Sequence, residues 1–205
     1  MFEGVASQLR RPSGLVGMLV TSRVLNAANA RVNARALELL DLEPDDRVIE
    51  VGFGGGGLIG RMAPLVPRGH IAGIDLSPEM VRVCERRFAG QIGEGRIEVR
   101  CASAEDLPYD PDRFTKACTV NTVHFWPEPM GALTELCRVL RVGGTAVVGF
   151  SPRATLERVP FTTHAFTHHE GGQIRRLLED SGFAAARVVT GRSLLGQFLW
   201  VVAIK

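Results

Sequence analysis

The densest chemistry in the chain is Val48-Ile49-Glu50-Val51-Gly52-Phe53-Gly54-Gly55-Gly56-Gly57, where an apolar run ends in an acid and then glycines. A strand leading through glycines into a helix bares backbone N–H groups at a helix start and lets a ligand approach the main chain. Gly52, Gly54 and Gly57 fit the dinucleotide pattern G-x-G-x-x-G. Glu50, Gly52, Gly54 and Gly56 fit E-x-G-x-G-x-G instead. The loop alone does not choose between a nicotinamide dinucleotide and S-adenosylmethionine. Asp75 ends the next apolar run, where an acid accepts the ribose hydroxyls of an adenosine in either class.

Histidines are the other candidates. His124 follows the fourth apolar run, as base or positioning group. His164, His168, His169 and Glu170 have a spacing that invites a metal. They lack the glutamate of H-E-x-x-H, so loop or capping roles are expected and no metal site is assigned. Trp126 either walls an acceptor pocket or packs beneath Pro127 and Pro129.

Alternating elements must position these groups. Arg47–Val51, His70–Asp75, 96–101, Phe114–Val120 and 145–150 read as strands. Helices are expected over 58–66, after Ser77-Pro78-Glu79, over 128–140 with Gly143-Gly144 closing it, and near 172–180. This alternation predicts an α/β fold with a parallel sheet and helices on both faces. The runs 183–190 and Phe198–Ile204 are too close for a crossover helix and must form an antiparallel hairpin.

The whole chain, 205 residues with 24 Lys+Arg against 22 Asp+Glu, predicts one domain with an extension and argues against a nucleic-acid or polybasic membrane partner. The apolar stretches Leu15–Val20 and Phe198–Ile204 are too short to cross a bilayer, so no integral membrane association is expected. The first ten residues carry no secretory pattern, and the four cysteines form no C-x-x-C pair. A reduced, cytoplasmic protein is expected. Residues 4–37 hold five arginines and no acid, and apolar residues recur at helical spacing through Leu40. The expected division is a helical lid or cap over 1–43 and a ligand-binding domain over 44–205. Exchange of the helices of 13–40 between subunits would give a homodimer.

Three later stretches separate the cofactor classes: Ala104-Glu105-Asp106-Leu107-Pro108-Tyr109, Asn121-Thr122-Val123-His124-Phe125-Trp126-Pro127-Glu128-Pro129, and Leu136-Cys137-Arg138-Val139-Leu140-Arg141-Val142-Gly143-Gly144. With the glycine loop and Gly73-Ile74-Asp75-Leu76-Ser77, they make the chain resemble class I S-adenosylmethionine-dependent methyltransferases, especially the small-molecule branch that includes ubiquinone/menaquinone-type enzymes. The similarity runs from about Leu42 to Phe150. It implies a three-layer Rossmann-like sheet of seven strands with the last antiparallel, preceded here by the N-terminal helices. It implies S-adenosyl-L-methionine as cofactor and a small organic molecule as acceptor.

By that resemblance, Glu50, Gly52 and Gly54 hold the methionine end, with Phe53 and Gly56 in the same turn. Asp75 binds ribose and Leu76 lies against adenine. Ser103 and Ala104 meet the adenine edge, Glu105 beside them is a further cofactor-binding residue, and Asn121 sits beside the sulfonium. His124 is the candidate catalytic residue. Ser103 stands where many relatives have Asp, and Val142 replaces the proline of the common L-x-P-G-G turn. The competing readings are an NAD(P)-dependent oxidoreductase, which rests on the glycine run alone, and a non-methylating S-adenosylmethionine-binding protein.

Overall fold

The computed structural model describes residues 29–126, 128–157 and 167–205. Seven strands form one sheet in the order β3-β2-β1-β4-β5-β7-β6. In chain order they are β1 (Arg47–Val51), β2 (His70–Asp75), β3 (Ile97–Cys101), β4 (Phe114–Val120), β5 (Leu140–Phe150), β6 (Ala185–Ser193) and β7 (Gly196–Ile204). The first five run parallel, and β7 pairs antiparallel with both β5 and β6. The sheet and its closing hairpin therefore match the expectation.

Alternate residues of the buried strands feed two apolar layers. Val48, Ile71, Cys118, Val147 and Trp200 meet helices α1 (Ala30–Leu40), α2 (Ile59–Met62) and α3 (Pro78–Arg87), which a short α4 (Ala89–Gly93) follows. Ile49, Ile74, Ala117, Val148 and Val201 meet α5 (Pro129–Val139) and α7 (Gly171–Asp180) on the other face. One-turn α6 (Arg153–Leu156) follows β5. Val32, Ala36 and Leu40 of α1 are buried, so this part of the expected N-terminal helices is an integral layer of the fold. The remainder of those helices, through residue 28, lies outside the described residues. Among the described residues no helix is long and apolar enough to cross a membrane.

Several boundaries differ from the sequence reading: β6 runs on to Ser193 and β7 begins at Gly196, so the hairpin turn is tighter than expected, and two helix boundaries move as well. The expected helix over 58–66 is a single α-turn at Ile59–Met62, flanked by looser turns. Gly54 to Gly57 before it and Gly60 within it weaken helix propensity, and Pro64 withholds an amide from the next turn. Gly143-Gly144 does not close α5 either, because β5 starts directly at Leu140 and contains both glycines. There the register to β4 shifts between Phe114 and Lys116, and Gly143 takes φ 78°, as a bulge requires. The Gly143 N–H donates to Lys205 O (2.8 Å) and the Lys205 N–H to Gly144 O (3.0 Å), locking the bulge to the end of β7.

Order β2-β1-β4 makes a topological switch between β1 and β4, because the chain leaves β1 in one direction and returns on its other side. Ligands of open α/β sheets bind at such a point, beyond the carboxyl ends of the strands. The first helical turn presses on β2 there. A Cβ on Gly73 would lie 2.8 Å from Phe53 Cδ1 and 2.9 Å from Ile59 Cδ1. Gly73→Val is therefore expected to cost about 1–3 kcal/mol of unfolding free energy in urea titration, an overpacking penalty. A variant as stable as the parent would show that the glycine turn does not pack on β2 in this way.

Candidate active site

Every cofactor residue expected from the sequence lies at or just beyond the carboxyl end of β1, β2, β3 or β4. Glu50 shares the α2/α3 face of β1 with Val48 and is 4% exposed. Its Oε2 has no hydrogen-bond partner. Burial, with added repulsion from Asp75, raises its carboxyl to about 8, partly offset by the Ile59 amide. A proton-holding carboxyl with one unpartnered oxygen beside a glycine turn suits a cationic ligand group, whose charge would repay ionisation.

The turn itself divides its glycines by task. Gly52 (φ 78°) comes so close to Thr122 that a Cβ would lie 2.3 Å from Thr122 Oγ1. Gly56 (φ 68°) packs on α3, where a Cβ would meet Phe88 Cε2 at 2.7 Å and Cys84 Sγ at 2.8 Å. Gly54 (φ 51°) has nothing within 4 Å of that position, so the space over the turn is open at this residue. Phe53 is buried in the α2/α3 layer and supports the turn from beneath. From α3, the Cys84 thiol reaches Gly54 O (3.5 Å) and Arg87 donates to Gly55 O (2.6 Å).

Asp75 answers from β2. Its Oδ2 accepts the Gly54 N–H (2.8 Å) and its Oδ1 the Ser77 N–H (2.9 Å). Burial raises its pKa, and those two amides lower it. Each oxygen keeps lone-pair capacity for a hydroxyl, as ribose binding needs. Ser77 separately caps α3 by accepting the Met80 N–H. Leu76 is 53% exposed, a flat apolar surface next to the acid. Beyond β3, Ser103 Oγ accepts the Glu105 N–H (3.2 Å), and Ala104 packs on the α5 layer.

Past β4, Asn121 adopts φ 60° and its N–H donates to Gly149 O (2.8 Å). Its Nδ2 donates to Asn29 Oδ1 at 2.9 Å. His124 is 5% exposed, in a short 3-10 turn. Its Nδ1 meets Thr167 O at 3.0 Å, and its own carbonyl accepts the Thr167 N–H at 2.9 Å. Burial lowers it to about 4, against the pull of the Thr167 carbonyl, so it is neutral at pH 7. The His169 ring stacks on it, centroids 6.1 Å apart. Trp126 is buried in the α5 layer, while Pro127 lies outside the described residues. His164 lies outside them too, and among the described residues no cluster able to hold a metal is found.

Thr122, Cys84, Arg87 and Asn29 were not anticipated. Contacts spanning 70, 30, 32 and 92 residues join them to the site, and no local pattern signals such pairings.

This sheet order, with a glycine turn and a ribose-type acid at the switch point, defines the fold of class I methyltransferases. Residues 49–148 match the family model described as a methyltransferase domain. Over that stretch the chain is similar to the class I S-adenosylmethionine-dependent methyltransferases. It is 32% identical over 168 residues to an uncharacterised 37.1 kDa protein in transposon TN4556 of Streptomyces fradiae, covering 75% of this chain and 48% of that protein. It is 30% identical over 114 residues to the ubiquinone/menaquinone biosynthesis C-methyltransferase UbiE of Geotalea daltonii, covering 55% and 48%. The chain thus spans about half the length of these relatives. Among solved structures, a chain of the complex between the Haloferax volcanii Trm112 methyltransferase activator and its methyltransferase superposes with TM-score 0.81 at 18% identity, covering 90% of this chain and 92% of that one.

The buried acid has a measurable signature. The folded chain holds the Glu50 proton up to about pH 8, whereas the unfolded chain releases it near 4.5. The native state binds more protons across that window, so its stability falls as pH rises through it. Glu50→Gln removes this loss. Its stability advantage over the parent in urea titration is expected to widen from about pH 5 to pH 8 and then level off. An advantage independent of pH would mean that Glu50 is ionised in the native chain.

Proposed function

We propose that this chain is an S-adenosylmethionine-dependent methyltransferase that transfers a methyl group to a small organic acceptor. The observation that carries the reading is the buried, partnerless Oε2 of Glu50 beside the open face of Gly54. Glu50 and Asp75 together make the crevice hospitable to a cation and poor for a pyrophosphate. The Gly54 amide, which a pyrophosphate would need, is already given to Asp75. This argues against a nicotinamide dinucleotide.

The cofactor supplies an activated methyl carbon and a good leaving group. The chain's task is then alignment, worth about 7–11 kcal/mol where reacting atoms are held in near-attack geometry. Glu50 holds the ammonium end, Gly52, Phe53, Gly54 and Gly56 shape the main chain around it, and Asp75 takes the ribose hydroxyls. Leu76 covers the adenine face, and Ser103, Ala104 and Glu105 meet its edge. Asn121 fixes the sulfonium end. His124 has its Nδ1 committed to Thr167 and is neutral at pH 7. Buried in this way, it acts by positioning the segment from Thr167 onward at the end of β4. The UbiE relative is named for C-methylation in quinone biosynthesis, which favours an aromatic acceptor with an acidic C–H or O–H.

Calorimetry should show micromolar binding of S-adenosylhomocysteine and no response to NAD(H). Asp75→Asn, which loses the charge that draws the ribose hydroxyls and the Gly54 amide, should weaken binding by about tenfold or more. Turnover of methyl-labelled cofactor with a panel of phenolic and quinol acceptors tests transfer. Tight binding with no label transfer would favour a non-methylating binder, and binding of NAD(H) alone would overturn the cofactor.

A further inference from the structure

We infer that Asn29 is a positioning residue of the cofactor site, fixing the Asn121 carboxamide at the end of β4; this rests on the methyltransferase reading above. Asn29 lies outside residues 49–148, the stretch that matches the methyltransferase domain. It stands 92 residues from Asn121, yet its Oδ1 accepts the Asn121 Nδ2 at 2.9 Å.

The local geometry of Asn29 shows what its side chain is used for. It occupies the N-cap position of α1, where an asparagine ordinarily accepts an amide from its own helix. Here the backbone is already helical (φ −86°, ψ −3°) and the side chain makes no cap bond. Its acceptor is given to Asn121 instead. The platform beneath it is rigid, because Val32, Ala36 and Leu40 of α1 are buried in the same layer as Val147 and Trp200.

Asn121 is suited to being held. At φ 60° it takes a left-handed conformation that asparagine tolerates better than most residues. Its backbone N–H is tied to Gly149 on β5 and its side chain to α1, so a short side chain is anchored at both ends. Thr122, the next residue, seals against Gly52 of the glycine turn. α1 already packs along β4, and the Asn29–Asn121 bond extends that contact to the carboxyl end of the strand, beside the crevice. Without it the carboxamide would be free to rotate, and binding would bear the entropy of ordering it.

A double-mutant cycle read by calorimetry with S-adenosylhomocysteine tests this. Asn29→Ala should weaken binding by about tenfold, the worth of one hydrogen bond and its preorganisation. Asn29→Asp keeps the acceptor oxygen and should bind close to the parent. In an Asn121→Ala background, Asn29→Ala should cost nothing further. A ligand-free reading accompanies it: the Asn121 side-chain amide resonances should shift in Asn29→Ala and persist in Asn29→Asp. Parent-like binding by Asn29→Ala, or losses that simply add, would overturn the inference while leaving the cofactor reading intact. A parent chain that binds no S-adenosylhomocysteine would overturn both, and the amide resonances would still report whether Asn29 holds Asn121. If Asn29→Ala fails to fold, Asn29→Asp and Asn29→Ser carry the same comparison, with Ser expected to lose affinity.

Discussion

Two carboxyl groups crowded under a glycine turn set the terms for the whole crevice. Glu50 is buried at the end of β1 with one oxygen unpartnered, and Asp75 at the end of β2 raises its proton affinity further. Burying an acid this way is costly unless it stays protonated or meets a cation. The surrounding structure enforces the burial. Gly73 lets Phe53 and Ile59 press onto β2, and Gly56 lets the turn settle on Cys84 and Phe88. The turn's own carbonyls at Gly54 and Gly55 are engaged from α3, while the Gly54 amide turns to Asp75. One unsatisfied oxygen and the open face at Gly54 are what this packing leaves for a ligand.

Opposite the two acids, the far wall is assembled from distant pieces of chain. Thr122 closes on Gly52, Asn121 is tied to β5 and to α1, and His124 clasps Thr167 through both backbone and ring. Burial keeps that histidine neutral, so the clasp is made of dipoles rather than charges and holds at ordinary pH. Acid protonates it only by overcoming desolvation.

Much of this was legible from periodicity and motif order. Strands β1, β2 and β4 fall where their apolar runs predict, since a parallel strand buried on both faces reads as a continuous apolar run. Glu50, Asp75 and the glycines were legible because their chemistry is local: a backbone that must take positive φ, and an acid at a strand end. The helix after the turn is shorter than its apolar periodicity predicts, because glycines and Pro64 allow only one α-turn there. Gly143-Gly144 looked like a helix stop, yet they serve a bulge whose partners, Lys205 and Thr115, lie elsewhere in the chain. Thr122 and Asn29 were invisible for the same reason. A long-range hydrogen bond leaves no periodic trace, and an asparagine before a helix reads as a cap.

Glu50 holds a proton until a cation arrives, and proton exchange on binding measures this directly. S-adenosylhomocysteine binding followed by calorimetry near pH 7, in buffers of different ionisation enthalpy, counts the protons exchanged. Release of about one proton per ligand, lost in Glu50→Gln, is the predicted result. Binding with no proton release, or with uptake, would contradict it.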